Sequence, residues 1–270
     1  MAYEPKNAEE FNKRGVEKFS RDQFSRDQYE SAIADFSEAI RLEPCEATYY
    51  TNRACANQSL NQYEMAMADY SEAIRLDPYG AVHYARRADL KCELNQYEAA
   101  IDDYLECIHI DPSYSHYYDN IQKIRLFLES QRMIADCSKA IQRDPNKASY
   151  YEARGEARCE LAQYEPNVKY DADSSSHYKA AIADYSEAIR LHPNNPDYFI
   201  SRGKINERLG QWGKARADYS NAIKLNPNEE SYYIIRARAQ YDEYSKIKDY
   251  SAAIQLNPNK GSYYIVAVAK

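Results

Sequence analysis

Glycine is scarce in this chain, seven residues in 270, and a single tryptophan is outnumbered by 28 tyrosines. No glycine-rich loop that could cradle a phosphate, no H-E-x-x-H pair and no nucleophile–base pairing stands out, so no catalytic constellation is legible and a non-enzyme is expected. Apolar runs stay far below the roughly 20 residues that cross a bilayer. The opening MAYEPKNAEEF has neither the basic nor the apolar stretch of a signal peptide. A cytoplasmic protein without a membrane span is expected. Positive charge is in deficit, 35 basic against 42 acidic residues for a net charge of −7, which argues against general nucleic-acid binding. The six cysteines (Cys45, Cys55, Cys92, Cys107, Cys137, Cys159) form no C-x-x-C pair and read as reduced packing thiols. The five histidines look incidental. DADSSSHY, residues 171–178, begins like a calcium loop but lacks the glycine at its sixth position and has Ile182 where a bidentate glutamate belongs. Nothing calls for a metal or cofactor.

What the chain has in abundance is repetition. Prolines 44, 78, 112, 145, 193, 227 and 258 close similar phrases, among them FSEAIRLEP, YSEAIRLDP, CSKAIQRDP and YSNAIKLNP, at intervals of 34, 34, 33, 48, 34 and 31 residues. A second phrase leads each unit: TYYTNRA, VHYARRA, HYYDNIQ, SYYEARG, DYFISRG, SYYIIRA and SYYIVAV. Such a period marks stacked supersecondary units. Within a unit, Tyr63, Ala66, Met67, Tyr70, Ala73 and Ile74 fall on one face of a helix. The following proline stops that helix, because it cannot continue the hydrogen-bond ladder. LNQY at 60–63 and 94–97 marks the turn between two helices of a unit. Neither helix buries its apolar stripe alone, so neighbouring units must stack.

The pattern resembles the tetratricopeptide repeat over nearly the whole chain. On that family's 34-position frame, small residues recur at position 8 (Gly15, Ala54, Ala88, Gly155, Gly203, Ala237), and alanine at 20 (Ala32, Ala66, Ala100, Ala181, Ala215). Position 24 is aromatic (Phe36, Tyr70, Tyr104, Tyr185, Tyr219, Tyr250) and position 27 is small, from Ala39 to Ala253. Position 4, often tryptophan in the family, is tyrosine or phenylalanine here; position 11, usually tyrosine, is polar (Asn57, Lys91, Arg125, Arg158, Asn206, Gln240). The resemblance implies an all-α fold, a right-handed superhelical solenoid of stacked antiparallel helix pairs. It would form a single array with repeats at about 8–46, 47–80, 81–114, 115–147, 148–195, 196–229 and 230–260, and a partial eighth at 261–270.

An arginine ladder at position 7 (Arg14, Arg53, Arg87, Arg154, Arg202, Arg236) is matched by aspartates at position 23 (Asp35, Asp69, Asp103, Asp136, Asp184, Asp218, Asp249). Two readings compete, a strip for an acidic ligand and a set of bridges within or between units, and the bridges are favoured. In repeat 4 Ile121 takes the arginine's place opposite Asp136, predicting the loosest joint.

The resemblance also implies a non-catalytic protein-interaction scaffold that binds a peptide or protein segment in a groove lined by the first helices. Positions that face such a groove place Asp89, Glu93, Asp119, Glu152, Glu156 and Glu160 in repeats 3 to 5. In repeats 6 and 7 they place Ile200, Lys204, Arg208, Ile234, Arg238 and Tyr241. An acidic middle and a basic, apolar C-terminal end would suit a partner of opposite charge order. Of the five positions with which some relatives clamp a chaperone's terminal carboxylate, only Asn52 and Arg86 match, with Asn12, Val16 and Val82 at the rest. A carboxylate-clamp adaptor is therefore the less favoured reading. The alternative to groove binding is a self-associating scaffold, a homo-oligomer formed through the C-terminal end GSYYIVAVAK. Finally, the doubled phrase FSRDQFSRDQ at 19–28 reads as a five-residue lengthening of the turn in repeat 1, and the length changes of repeats 4, 5 and 7 fall at the same edge.

Overall fold

The computed structural model describes residues 6–19, 25–164 and 172–258, and every regular element among them is helical. The chain divides into two compact units, Met1–Ile124 and Arg125–Lys270. The first holds three helix hairpins: α1 (Ala8–Phe19) with α2 (Arg26–Leu42), α3 (Ala47–Ser59) with α4 (Tyr63–Leu76), and α5 (Ala81–Glu93) with α6 (Tyr97–Ile110). A 3-10 turn, Pro112–His116, leads into α7 (Tyr117–Arg143), within which the division falls. The second unit pairs α8 (Ala148–Tyr164) with α9 (Ala172–Leu191), α10 (Pro196–Arg208) with α11 (Trp212–Leu225), and α12 (Glu230–Arg238) with α13 (Glu243–Leu256).

Local chemistry sets these boundaries. Asn195 caps α10 through Asp197 N at 3.0 Å, with Pro196 in the first turn, and Asp242 caps α13 through Ser245 N at 2.8 Å. Second helices end where the next N–H bonds the carbonyl of the position-27 residue, as Asp77 does to Ala73 and Asn226 to Ala222, both at 2.9 Å; proline follows. Asn61, Asn95 and Gly210 turn the chain between paired helices at φ of 59°, 58° and 69°. Asparagine and glycine tolerate that left-handed conformation best.

The packing positions are the repeated ones. Ala32, Ala66, Ala100, Ala181 and Ala215 are fully buried, as are Ala39, Ala73, Ala188, Ala222 and Ala253, with Tyr70 and Tyr219 wedged among them. Alanine permits close approach of the helices and the aromatic ring fills the remaining space. A Cβ on Gly155 would stand 3.0 Å from the Tyr185 ring, so glycine there makes room for the aromatic.

Residues 115–147 depart from expectation. In place of a helix pair they form the single 27-residue helix α7. Its segment LFLESQ, residues 126–131, has neither the asparagine nor the glycine that turns the chain at 61, 95 and 210, and Ile121 stands where the other first helices carry the bridging arginine. Ile121 and Asp136 therefore share one helix and do not face each other. Ile121 is buried; Asp136 is exposed beside Lys139 at 3.6 Å. The insertion in repeat 5 lengthens both helices of its hairpin, to 17 and 20 residues, and the shortening of repeat 7 trims α12 to nine. The middle of the doubled phrase, residues 20–24, and the segment 259–270 lie outside the described residues, as do residues 165–171 of the insertion.

Candidate functional site

The arginine ladder is structural. Arg14, Arg53, Arg87, Arg154, Arg202 and Arg236 each grip the aspartate of their own hairpin through two guanidinium nitrogens, for example Arg53 Nε and Nη2 to Asp69 at 2.9 and 2.7 Å. The partner of Arg154 is Asp184, not Asp136. From Arg53 onward, the remaining Nη1 donates to a serine of the preceding second helix or of α7, namely Ser37, Ser71, Ser138, Ser186 or Ser220, at 2.9–3.3 Å. One side chain thus ties a hairpin together and joins it to its neighbour, while its face rests over the position-4 ring, as Arg202 does over Phe199 at 5.7 Å. Position 11 adds a second donor to the same aspartate, from Lys91 and Arg158 or from Asn57 and Asn206, and Lys18 does the same for Asp35. Burial opposes ionisation of Asp35, but the bonds from Arg14 and Lys18 outweigh it and its carboxyl sits below the ordinary value.

The groove positions divide between the two units. In the first, Asn52 donates to Asn12 Oδ1 at 2.8 Å, and Arg86 stands 3.9 Å from Asp89 on the same helix. Asp89 accepts the Tyr104 hydroxyl at 2.7 Å, and burial pushes its carboxyl up. Glu93 and Asp119 are exposed. Both clamp-like residues thus already have partners.

In the second unit the structure gathers four of the predicted residues in one cavity of about 450 Å³. Glu156 and Glu160 of α8 form one wall, Lys204 and Arg208 of α10 the other, and Tyr178 and Tyr185 of α9 close the cavity between them. Among the described residues no salt bridge joins the two walls. Arg208 lies over the Tyr178 ring and donates to its hydroxyl at 3.0 Å; Glu160 accepts from Ser130 at 3.1 Å. Burial, then the neighbouring Glu152 and Glu160, raise the Glu156 carboxyl above its ordinary value. Glu152 itself accepts the Tyr198 hydroxyl at 3.3 Å. Burial pushes the Cys159 thiol up to about 11, so it lines the cavity as neutral S–H.

Four further predicted residues sit elsewhere. Ile200 and Ile234 are buried in hydrophobic clusters, Ile200 beside Phe199 and Tyr219, and Ile234 beside Ala237 and Tyr250. They belong to the core and offer a partner little surface. Tyr241 lies in the α12–α13 turn, because α12 ends at Arg238, and its ring stacks 4.6 Å from the Arg216 guanidinium. Arg238 is exposed at that helix end. The sequence reading missed Tyr178, Tyr185 and Ser201 as lining residues. Tyr185 bore only its packing signature, and Tyr178 lies beside the insertion. Among the described residues no group of three His, Cys, Asp or Glu side chains could hold a metal, and no helix is long and apolar enough to cross a membrane.

The tetratricopeptide repeat family matches residues 47–79, 84–114 and 196–229, and a TPR repeat match covers 174–210. No curated protein matches the chain. Among solved structures, the TPR2AB-domain:pHSP90 complex of yeast Sti1 is similar at 20% identity, covering 96% of this chain and 94% of that one with a TM-score of 0.45. The first TPR of Spaghetti (RPAP3) bound to the HSP90 peptide SRMEEVD is 24% identical over 46% of this chain and 96% of that one, TM-score 0.42. A thermophilic TPR protein of Thermus thermophilus is 14% identical over 83% of this chain and 97% of that one, TM-score 0.42.

Proposed function

Because the chain is a tetratricopeptide-repeat protein, we propose that it works as a non-catalytic protein-interaction scaffold whose α8–α10 cavity takes a partner segment carrying both a cation and an anion. The observation that carries this reading is the set of four charges held on opposite walls with no salt bridge between them. Each wall also breaks a local rule. Glu152, Glu156 and Glu160 repeat at four-residue spacing, as do Lys204 and Arg208, and like charges so placed destabilise a helix by about 0.2–0.5 kcal/mol per pair. Local conflicts of this kind belong at functional sites. A ligand basic toward α8 and acidic toward α10 relieves both repulsions at once, and such complementarity sets specificity and association rate more than raw affinity. The net charge of −7 disfavours a nucleic-acid partner. The six free cysteines suit the reducing cytoplasm, which is the compartment this reading assigns.

The test is titration with short peptides holding one lysine and one aspartate at separations of one to five residues. At least one spacing should bind, and Lys204→Ala with Arg208→Ala should weaken it tenfold or more at unchanged helix content. Equal affinity for the variant, or no preference over an uncharged peptide, would contradict the proposal. A second reading, self-association, is favoured by α13, where Tyr244 and Ile247 are 79% and 51% exposed. Sedimentation equilibrium across a concentration range tests it, since a monomer throughout excludes it.

A further inference from the structure

The α8–α10 cavity holds one carboxylate that the fold leaves without a partner. Glu152, Glu156 and Glu160 rise along α8 one turn apart, and the outer two each receive a hydroxyl. Glu152 accepts that of Tyr198 at 3.3 Å, and Glu160 that of Ser130 at 3.1 Å. Glu156, between them on the cavity wall, makes no hydrogen bond or ion pair among the described residues. The cations nearest to it in sequence are engaged elsewhere: Arg154 and Arg158 both grip Asp184, at 2.6 and 2.5 Å. Across the cavity Arg208 is held by the Tyr178 hydroxyl at 3.0 Å, and among the described residues neither it nor Lys204 bridges to α8.

The missing donor is peculiar to this hairpin. Glu156 occupies frame position 9, directly after the small residue Gly155, as Asp89 does after Ala88 in α5. Asp89 receives the hydroxyl of its own position-24 ring, Tyr104, at 2.7 Å, and has Arg86 of position 6 at 3.9 Å. In α8–α9 the position-24 ring is Tyr185, and its hydroxyl is joined to Ser201 of α10 instead. Position 6 of α8 is Ala153. Glu156 thus lacks both of the groups that satisfy its counterpart.

We infer that Glu156 is the residue that receives the partner's cation, and that a proton competes with that cation for it. This deepens the reading proposed above and rests on it. Glu152 and Glu160 are partly satisfied before a partner arrives, whereas Glu156 gains its first one, so the larger share of the selectivity falls on it. Charged and titratable groups face it from three helices. Its own helix supplies Glu152, Glu160 and the neutral Cys159, α9 the Tyr178 and Tyr185 hydroxyls, and α10 Tyr198, Lys204 and Arg208. Partial burial, and then the two glutamates, disfavour the ionised form, so in the free chain Glu156 keeps a proton to higher pH than an ordinary glutamate. A bound ammonium favours the ionised form. Binding therefore releases a proton, and affinity is full above the free-state value and falls as pH drops through it.

The probe is the preferred lysine–aspartate peptide, titrated calorimetrically into the full chain from about pH 7.5 to 4.5 in buffers of different ionisation heat. Wild type should release a proton on binding at the acid end, with affinity falling there by up to about tenfold per pH unit. Glu156→Gln, at an exposed position, should weaken binding about tenfold at neutral pH and remove most of the proton release, at unchanged circular dichroism. Glu160→Gln should change affinity by no more than about threefold. The peptide's own aspartate acts equally on both proteins, so the difference between them belongs to Glu156. In the free chain the Glu156 carboxyl carbon, followed by NMR, should titrate above the ordinary glutamate range, and an ordinary midpoint overturns the proton's part. Equal affinity or equal proton release for wild type and Glu156→Gln overturns the inference and leaves the cavity reading standing. No binding of any spacing to wild type overturns both.

Discussion

Residues 81–110 and 117–143 carry versions of the same repeat and fold differently, the first as the hairpin α5–α6 and the second as the single helix α7. The hairpin has Asn95 in the left-handed conformation between its helices, and Arg87 and Lys91 converging on Asp103 at 2.8 and 2.7 Å. The long helix has neither a turn residue nor the position-7 arginine, and its aspartate, Asp136, is exposed. Both stretches keep the closing phrase and the proline. The phrase therefore specifies where a helix ends, whereas folding back goes with the bidentate ion pair, which α12–α13 keeps through Arg236 and Asp249 although its turn has no left-handed residue. Position 27 agrees: Cys107 is fully buried under the hairpin, while Ala140 of α7 is not buried.

The comparison can be broken most forcefully at the aspartates. Asp103→Ala leaves Arg87 and Lys91 without their shared partner and should cost about 3 kcal/mol, while Asp136→Ala at the same frame position should stay within about 0.5 kcal/mol. Urea unfolding of both variants checks this, and equal losses would show that the pair does not distinguish the two folds. Asn95→Ala removes the turn residue; alanine held in the left-handed region should cost about 1–2 kcal/mol, read as a lowered denaturation midpoint. Gly203→Ala drives a methyl group into the buried Tyr219 ring. Overpacking of about 1–3 kcal/mol, less about 1 kcal/mol of helix propensity, leaves a net loss near 1 kcal/mol, whereas Gln122→Ala, at the matching place on α7, should not destabilise.

The smallest effect is one of pH. His83 is buried, its Nδ1 2.7 Å from Thr51 Oγ1, with Asp77 3.6 Å from Nε2 and the Glu46 charge also acting on it. Burial depresses its pKa, so the folded hairpin binds a proton less readily than the unfolded chain does. Stability is then full above the ordinary imidazole range and falls as pH drops through it. Thermal midpoints followed from about pH 8 to 5 should show the decline, and His83→Gln should flatten it.

Much of this was legible in the sequence. The 34-residue period, the buried alanines and the Arg–Asp pairing were all readable, because each recurs and the structure uses it in nearly every unit. The fused helix was hidden because residues 115–147 keep the period; the informative sign was Ile121 in place of the bridging arginine. Tyr241 was misplaced because a three-residue shortening slides the frame, so a helix position becomes a turn position. Ile200 and Ile234 were assigned to the groove by position alone, while their aliphatic side chains follow the core. The lysine and glutamate walls were read one residue at a time.

Charge divides the units as well. Met1–Ile124 has 13 basic and 23 acidic residues, net −10, whereas Arg125–Lys270 has 22 and 19, net +3. The α8–α10 cavity lies in the second unit, the one with lysines and arginines to spare. The most direct measurement exchanges the walls of the first cavity, Glu156→Lys and Glu160→Lys together with Lys204→Glu and Arg208→Glu, leaving net charge unchanged. Isothermal titration with the preferred lysine–aspartate peptide and with its charge-reversed counterpart should show the exchanged protein favouring the counterpart tenfold or more. Unaltered preference for the original peptide would contradict the account.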